Sequence, residues 1–333
     1  MGALTGKVAV VAGATRGAGR GIARGLGEAG ATVYCTGRST KGQPSPYQRP
    51  ETIEETAEMV TAIGGTGIAV RVDHAQEAEV EALFQRVEAE QGRLDVLVNS
   101  IAGEDPLLGG WTSLWETDLG QGAEALRNTI LTHVITAKHA ALLMMKQGGG
   151  LIVEVTEHDL LGGGGNVLGD LAKSAHKSLT MRFAFELAAH RIAAIAITPG
   201  FLRSERVLEH FGVTEETWRE GGKEDVHFLQ SETPLFVGRA VAALAADPNV
   251  IARSGWLTSS WEVAREFDLT DEDGRRPDWG RHWPSVLRSM DWVEKGIRRQ
   301  VEWLEGMAAR GRGYLDQARA GGSTQDDGGS GPS

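Results

Sequence analysis

The chain has 333 residues, a single cysteine and a formal charge of −11 at pH 7. Its 41% hydrophobic and 24% charged content suits a globular protein with a core, and no apolar run approaches the roughly 20 residues that span a bilayer. The acidic balance speaks against nucleic acid and anionic membrane as partners, which require clustered Lys and Arg, and leaves small-molecule chemistry. Lone Cys35 excludes an intrachain disulfide and reads as a buried, inert thiol; with no leader pattern before the first strand, the expected compartment is the cytoplasm.

In chain order, short apolar runs at 7–12, 31–36, 67–72, 94–99, 151–156 and 192–198 read as strands separated by amphipathic, helix-length stretches. Continuously apolar strands belong in a parallel sheet covered on both sides, so the expected fold is α/β, a Rossmann-type doubly wound parallel sheet with helices on both faces. Beyond residue 200 a polar helical stretch is predicted at 204–219, a helix at 234–246 and a last strand at 255–259. A stripe of Val286, Leu287, Met290, Val293, Ile297, Val301, Leu304 and Met307 then predicts a helical C-terminal extension, packed on the body or on a partner subunit. The predicted organisation is a Rossmann-type domain at 1–265, the extension at 266–320 and a polar, disordered tail at 321–333.

Directly after the first strand comes Gly13-Ala14-Thr15-Arg16-Gly17-Ala18-Gly19, followed by a helical pattern. A glycine turn between strand and helix lets the backbone approach a pyrophosphate on the helix N-terminus, and Thr15, Arg16 and Ala18 are carried with the three glycines as binding-loop residues. The second strand ends without the acid that would hold free ribose hydroxyls; Arg38, with Arg16, is placed to bind a 2'-phosphate instead, so the expected coenzyme is NADP(H).

The glycine spacing resembles the fingerprint of the short-chain dehydrogenase/reductase superfamily. The resemblance implies adenine contact at Asp73, a coenzyme-side segment at Asn99, Ala102 and Gly103, and a nicotinamide-side segment at Pro199, Gly200 and Ser204. It continues through 246–249, 254–255 and 271–277, which look like the C-terminal region of one branch of the family. Homo-oligomerisation through long helices is implied as well.

In this family a Tyr protonates a carbonyl oxygen, a Lys four residues later tunes it and holds the ribose, a Ser orients substrate and an Asn supports a water relay. Asn128 and Lys173 match two of these positions, but the Tyr position is Gly169 and the Ser position falls on Glu157, or on Thr156 if the loop is one residue longer. The replacements are acidic: Glu157, with His158, Asp159 and Asp170 nearby, although the last three equally suit turn-capping or solvent-facing roles. The expected catalytic set is therefore Asn128, Glu157, Asp170, Lys173 and His158. His133 and His139 lack the company a metal site needs, and no metal is expected.

These substitutions suit an NADPH-dependent reductase of imines, iminium ions or similarly activated small molecules, because a protonated imine brings its own proton. The alternatives are a non-redox enzyme such as a cyclase, isomerase or dehydratase, and a non-catalytic NADP(H)-binding protein. Trp111 with Trp115, and Trp279 with Trp283, either line an aromatic pocket or pack in the core.

Overall fold

The computed structural model describes residues 2–44, 49–102, 113–157 and 167–288, with positions 305, 306, 309 and 312; over 285–288 it describes the backbone alone. The calls on Gly103, Trp111, His158 and Asp159 lie outside the described residues, as do the stripe residues from Met290 onward; Val286 and Leu287 fall within the backbone of the last described helix. The chain divides into two compact units, Met1–Arg281 and His282–Ser333.

In the first unit the strands are β1 (Val8–Ala12), β2 (Thr32–Gly37), β3 (Thr66–Arg71), β4 (Val96–Asn99), β5 (Gly150–Val155), β6 (Ile192–Thr198) and β7 (Leu257–Ser259). They form one parallel sheet in the order β3-β2-β1-β4-β5-β6-β7. The helices are α1 (Gly17–Glu28), α2 (Ile53–Ala62), α3 (Glu77–Gln91), α4 (Leu119–Leu126), α5 (Thr132–Gln147), α6 (Val167–Leu187), α7 (Glu205–His210), α8 (Pro234–Ala246) and α9 (Ser260–Phe267). α10 spans Trp279–Arg288.

Alternation along each strand divides the interior into two cores. Val11, Val33, Cys35, Val98, Val153 and Ile195 pack against α1, α2, α8 and α9; Val10, Tyr34, Leu97, Ile152 and Ala194 pack against α3, α5 and α6. Cys35 is fully buried, and burial pushes its thiol up to about 12. Tyr34 donates its hydroxyl to Glu90 on α3 and serves this packing.

The predicted helix over 204–219 is shorter in the structure. α7 stops at His210 because Gly212 turns left-handed, at φ +61, while the Gly212 and Val213 N–H groups close back on the carbonyls of Glu209 and Leu208. The chain resumes in a 3-10 turn over Trp218–Lys223. Trp115 is 85% exposed, which removes core packing as its role. No helix among the described residues is long and apolar enough to cross a membrane.

Candidate active site and coenzyme groove

The turn after β1 is fixed by its backbone. The N–H groups of Gly13 and Ala14 both donate to the Thr36 carbonyl on β2, and Arg20 Nε braces the Thr15 carbonyl at 2.9 Å. A Cβ on Gly13, which sits at φ +84, would lie 2.3 Å from the Ser100 carbonyl oxygen, and one on Gly19 would lie 2.1 Å from the Gly13 oxygen. Only glycine permits that approach. The groove wall is therefore backbone, with the N-terminus of α1 opening into it. Thr15 is buried beneath this turn, while Ala18 is half-buried on the first turn of α1.

Arg16 and Arg38, both half-buried, flank this corner, and neither forms an ion pair with a described residue. Asp73 follows β3 and uses one carboxylate oxygen to accept from the Ala75 N–H, a local turn bond. Behind it His74 is sandwiched between the hydroxyls of Thr36 and Thr136 at 2.8 and 2.9 Å. Burial lowers it to about 3, so the ring is neutral at pH 7.

At the other end of the groove the structure brings Glu157 and Lys173 together: Lys173 Nζ lies 3.5 Å from Glu157 Oε1. Thr156, the second reading of the Ser position, is buried and donates to the Lys173 carbonyl, tying the end of β5 to α6. Gly169 and half-buried Asp170 lie one turn before the lysine on α6. Asn128 lies in a π-helical turn, Arg127–Leu131, half-buried, with its carbonyl accepting from Thr132. Its neighbour Thr129 is the fully buried one and meets α6, accepting from His176 Nε2 at 3.2 Å. Inserted π turns commonly accompany functional sites.

Beneath this corner lies a polar cluster that motif spacing does not announce. Asn99 and Glu154 are register partners on β4 and β5; Asn99 Nδ2 donates to Glu154 Oε1 at 2.7 Å and to the His133 carbonyl at 3.2 Å. Asn99 is thus committed to the interior, while half-buried Ser100 and exposed Ala102 continue towards the groove. His133 Nδ1 meets Glu154 Oε2 at 2.5 Å, and its Nε2 donates to the Ile101 carbonyl at 3.1 Å. With Nε2 donating to a carbonyl, the Nδ1–carboxylate contact ties the other side of the ring to β5. His176 stacks on His133, with centroids 4.2 Å apart and planes 5° from parallel. Burial, then the charges of His133 and Lys173, push His176 well below its usual range, so it stays neutral. The sequence signal was Glu154 itself, an acid inside an apolar buried strand that needs a partner.

The third wall is the segment after β6. The Gly200 N–H donates to fully buried Glu232, and Ser260 donates to the same oxygen. A Cβ on Gly200 would meet Trp279 at 2.9 Å, so half-buried Pro199 and Gly200 are pinned between acid and indole. Ser204 caps α7, accepting from the Val207 N–H. Glu205 reaches across the groove: the Gly17 N–H donates to its Oε2 at 2.8 Å. A backbone cradle closed to side chains, with an N–H already gripping an anionic group, fits a dinucleotide diphosphate.

The short chain dehydrogenase profile matches residues 7–211, well over half the chain. The chain belongs to the short-chain dehydrogenase/reductase family. Dehydrogenase/reductase SDR family member 1 of Mus musculus is 37% identical over 277 residues, covering 82% of this chain and 85% of the relative. Two solved structures share the fold: YwfH, described as an NADPH dependent reductase involved in bacilysin biosynthesis (TM-score 0.61, 20% identity, 76% and 96% covered), and 7α-hydroxysteroid dehydrogenase complexed with NADH and 7-oxo glycochenodeoxycholic acid (TM-score 0.62, 23% identity, 77% and 93% covered). Short-chain dehydrogenases/reductases are oxidoreductases that bind NAD(P)(H), and both coenzymes occur among these neighbours. No cluster of three or more potential metal ligands occurs among the described residues of this family member.

Proposed function

We propose that the protein is an NADP(H)-dependent reductase of an imine, iminium ion or similarly activated small molecule. The observation that carries the reading is the Glu157–Lys173 pair beside Gly169, a position with no side chain to donate a proton. When bound, the reduced nicotinamide supplies a hydride. A ketone needs a proton on oxygen as the hydride arrives, and Gly169 has none to give. A protonated imine already carries that proton on nitrogen and needs a negative charge beside it. Glu157, with a side chain 58% exposed, is that charge: a cationic substrate competes with Lys173 for the carboxylate. Lys173 is then left to bond ribose hydroxyls, as the family resemblance implies. Arg16 and Arg38, without ion-pair partners among the described residues, support a 2'-phosphate and hence NADP(H).

The test presents the purified protein with C4-deuterated NADPH and matched cyclic imines and ketones, with products read by mass spectrometry. Label should enter the amine and not the alcohol, and Glu157→Gln should lower kcat/KM for the imine by about tenfold to a hundredfold. Equal labelling of ketones would sink the reading. So would unlabelled imines with bound coenzyme, and turnover without net coenzyme oxidation would then point to an isomerase or dehydratase.

We also infer a cytoplasmic homo-oligomer. Leu142 on α5, with Leu171, Met181 and Phe185 on α6, are large apolar side chains at least half exposed, which suits burial against a second copy.

A further inference from the structure

α1 has no N-terminal cap of its own. Arg16 at the cap position makes no side-chain cap bond, and the first turn holds no acid. Its N–H groups and positive end of the dipole call for an anion. That anion comes from 188 positions along the chain: Glu205 Oε2 accepts from the Gly17 N–H, and Arg20 Nη1 lies 3.5 Å from Oε1. One turn further on, Glu209 is gripped by Arg49 at 2.5 and 2.9 Å, and Arg49 also pairs with buried Glu51. α7 thus presents two carboxylates, four residues apart, to the coenzyme side of the unit, both engaged.

We infer that Glu205 is an internal stand-in for the coenzyme's diphosphate: it holds the Gly17 N–H, must leave when a dinucleotide enters, and thereby sets coenzyme affinity. The inference rests on the dinucleotide reading of the glycine turn. Two anions cannot share one N–H at close range, because each loses more by mutual repulsion than the donor returns. Displacing Glu205 also releases the start of α7 and its cap Ser204, while Arg49 still holds Glu209 at the far end. Coenzyme entry is therefore coupled to release of Ser204 and the first turn of α7, while Gly200 and Arg203 stay held by Glu232, Ser231 and Glu215.

The experiment titrates wild type, Glu205→Gln and Glu205→Ala with NADPH and with adenosine 2'-monophosphate, which has a 2'-phosphate but no diphosphate, following intrinsic tryptophan fluorescence. Both variants should bind NADPH about tenfold more tightly, the scale of one hydrogen bond to a charged group, with adenosine 2'-monophosphate affinity unchanged. Amide exchange across 205–210 should be faster in the unliganded variants, and wild type should match them only once NADPH is bound. Unchanged or weaker NADPH binding by both variants, with wild-type binding intact, overturns the assignment of Glu205 alone. Equal shifts for the two ligands with a lowered Tm make Glu205 a structural clasp and overturn it too. If no protein binds NADPH or NADH, the dinucleotide reading falls and the inference falls with it.

Discussion

Glu232 accepts from Gly200 and Ser260 in full burial, and that burial raises its carboxyl from 4.5 to about 8. Between those values the folded chain binds the proton that the unfolded chain has released, so the contribution of Glu232 to stability is fully present below pH 4.5 and is lost as pH rises towards 8. Glu232→Gln keeps the shape and cannot ionise; its stability should be flatter across that window, by an amount of the order of a few kcal/mol, measured by urea unfolding at stepped pH. His74 acts in the opposite sense. Its value falls from 6.5 to about 3, so its contribution is present above pH 6.5 and is lost as pH falls through 3. At this scale the sequence was legible where neighbours in the chain are neighbours in the site. Gly13, Gly17 and Gly19, or Gly169 and Lys173, are spaced by local geometry. The contacts of Glu154, His133 and His176 join β5, α5 and α6, and Glu205 meets Gly17 across most of the fold; no spacing rule encodes such meetings.

Among the elements, α1 and α8 approach most closely through glycine. A Cβ on Gly25 would lie 2.3 Å from the Gly238 carbonyl carbon, and one on Gly21 would lie 1.9 Å from the Pro234 oxygen. Both obstacles are backbone, so neither helix can yield by turning a side chain. Gly25→Ala should cost about 1–3 kcal/mol despite the higher helix propensity of alanine, as a lowered urea midpoint with unchanged slope will show. The pattern of strands and helices was legible because buried parallel strands are uniformly apolar and α8 opens with a proline at its first turn. The end of α7 was less so. Polar residues continue past His210 in a helix-compatible pattern, and the left-handed turn at Gly212 decides the matter.

At the scale of the whole molecule, the sheet order reverses direction between β1 and β4, where the glycine turn and the Ser100–Ala102 segment meet. Ligand sites on doubly wound sheets lie at such switch points, so the groove follows from topology as much as from motif. Exposed apolar residues on α6 set the expectation for assembly. Phe185, 77% exposed one turn from Met181, should be essential to it: Phe185→Glu should shift the protein to monomers in light scattering, with secondary structure intact. The single thiol then gives the chain a built-in clock. Cys35 lies within the sheet, closed to solvent and held at about 12, so a thiol reagent reaches it only when β2 parts from its neighbours. Where reagent outpaces reclosing, the rate at which the native protein is labelled therefore counts how often the sheet comes apart, without denaturant and without an engineered label site.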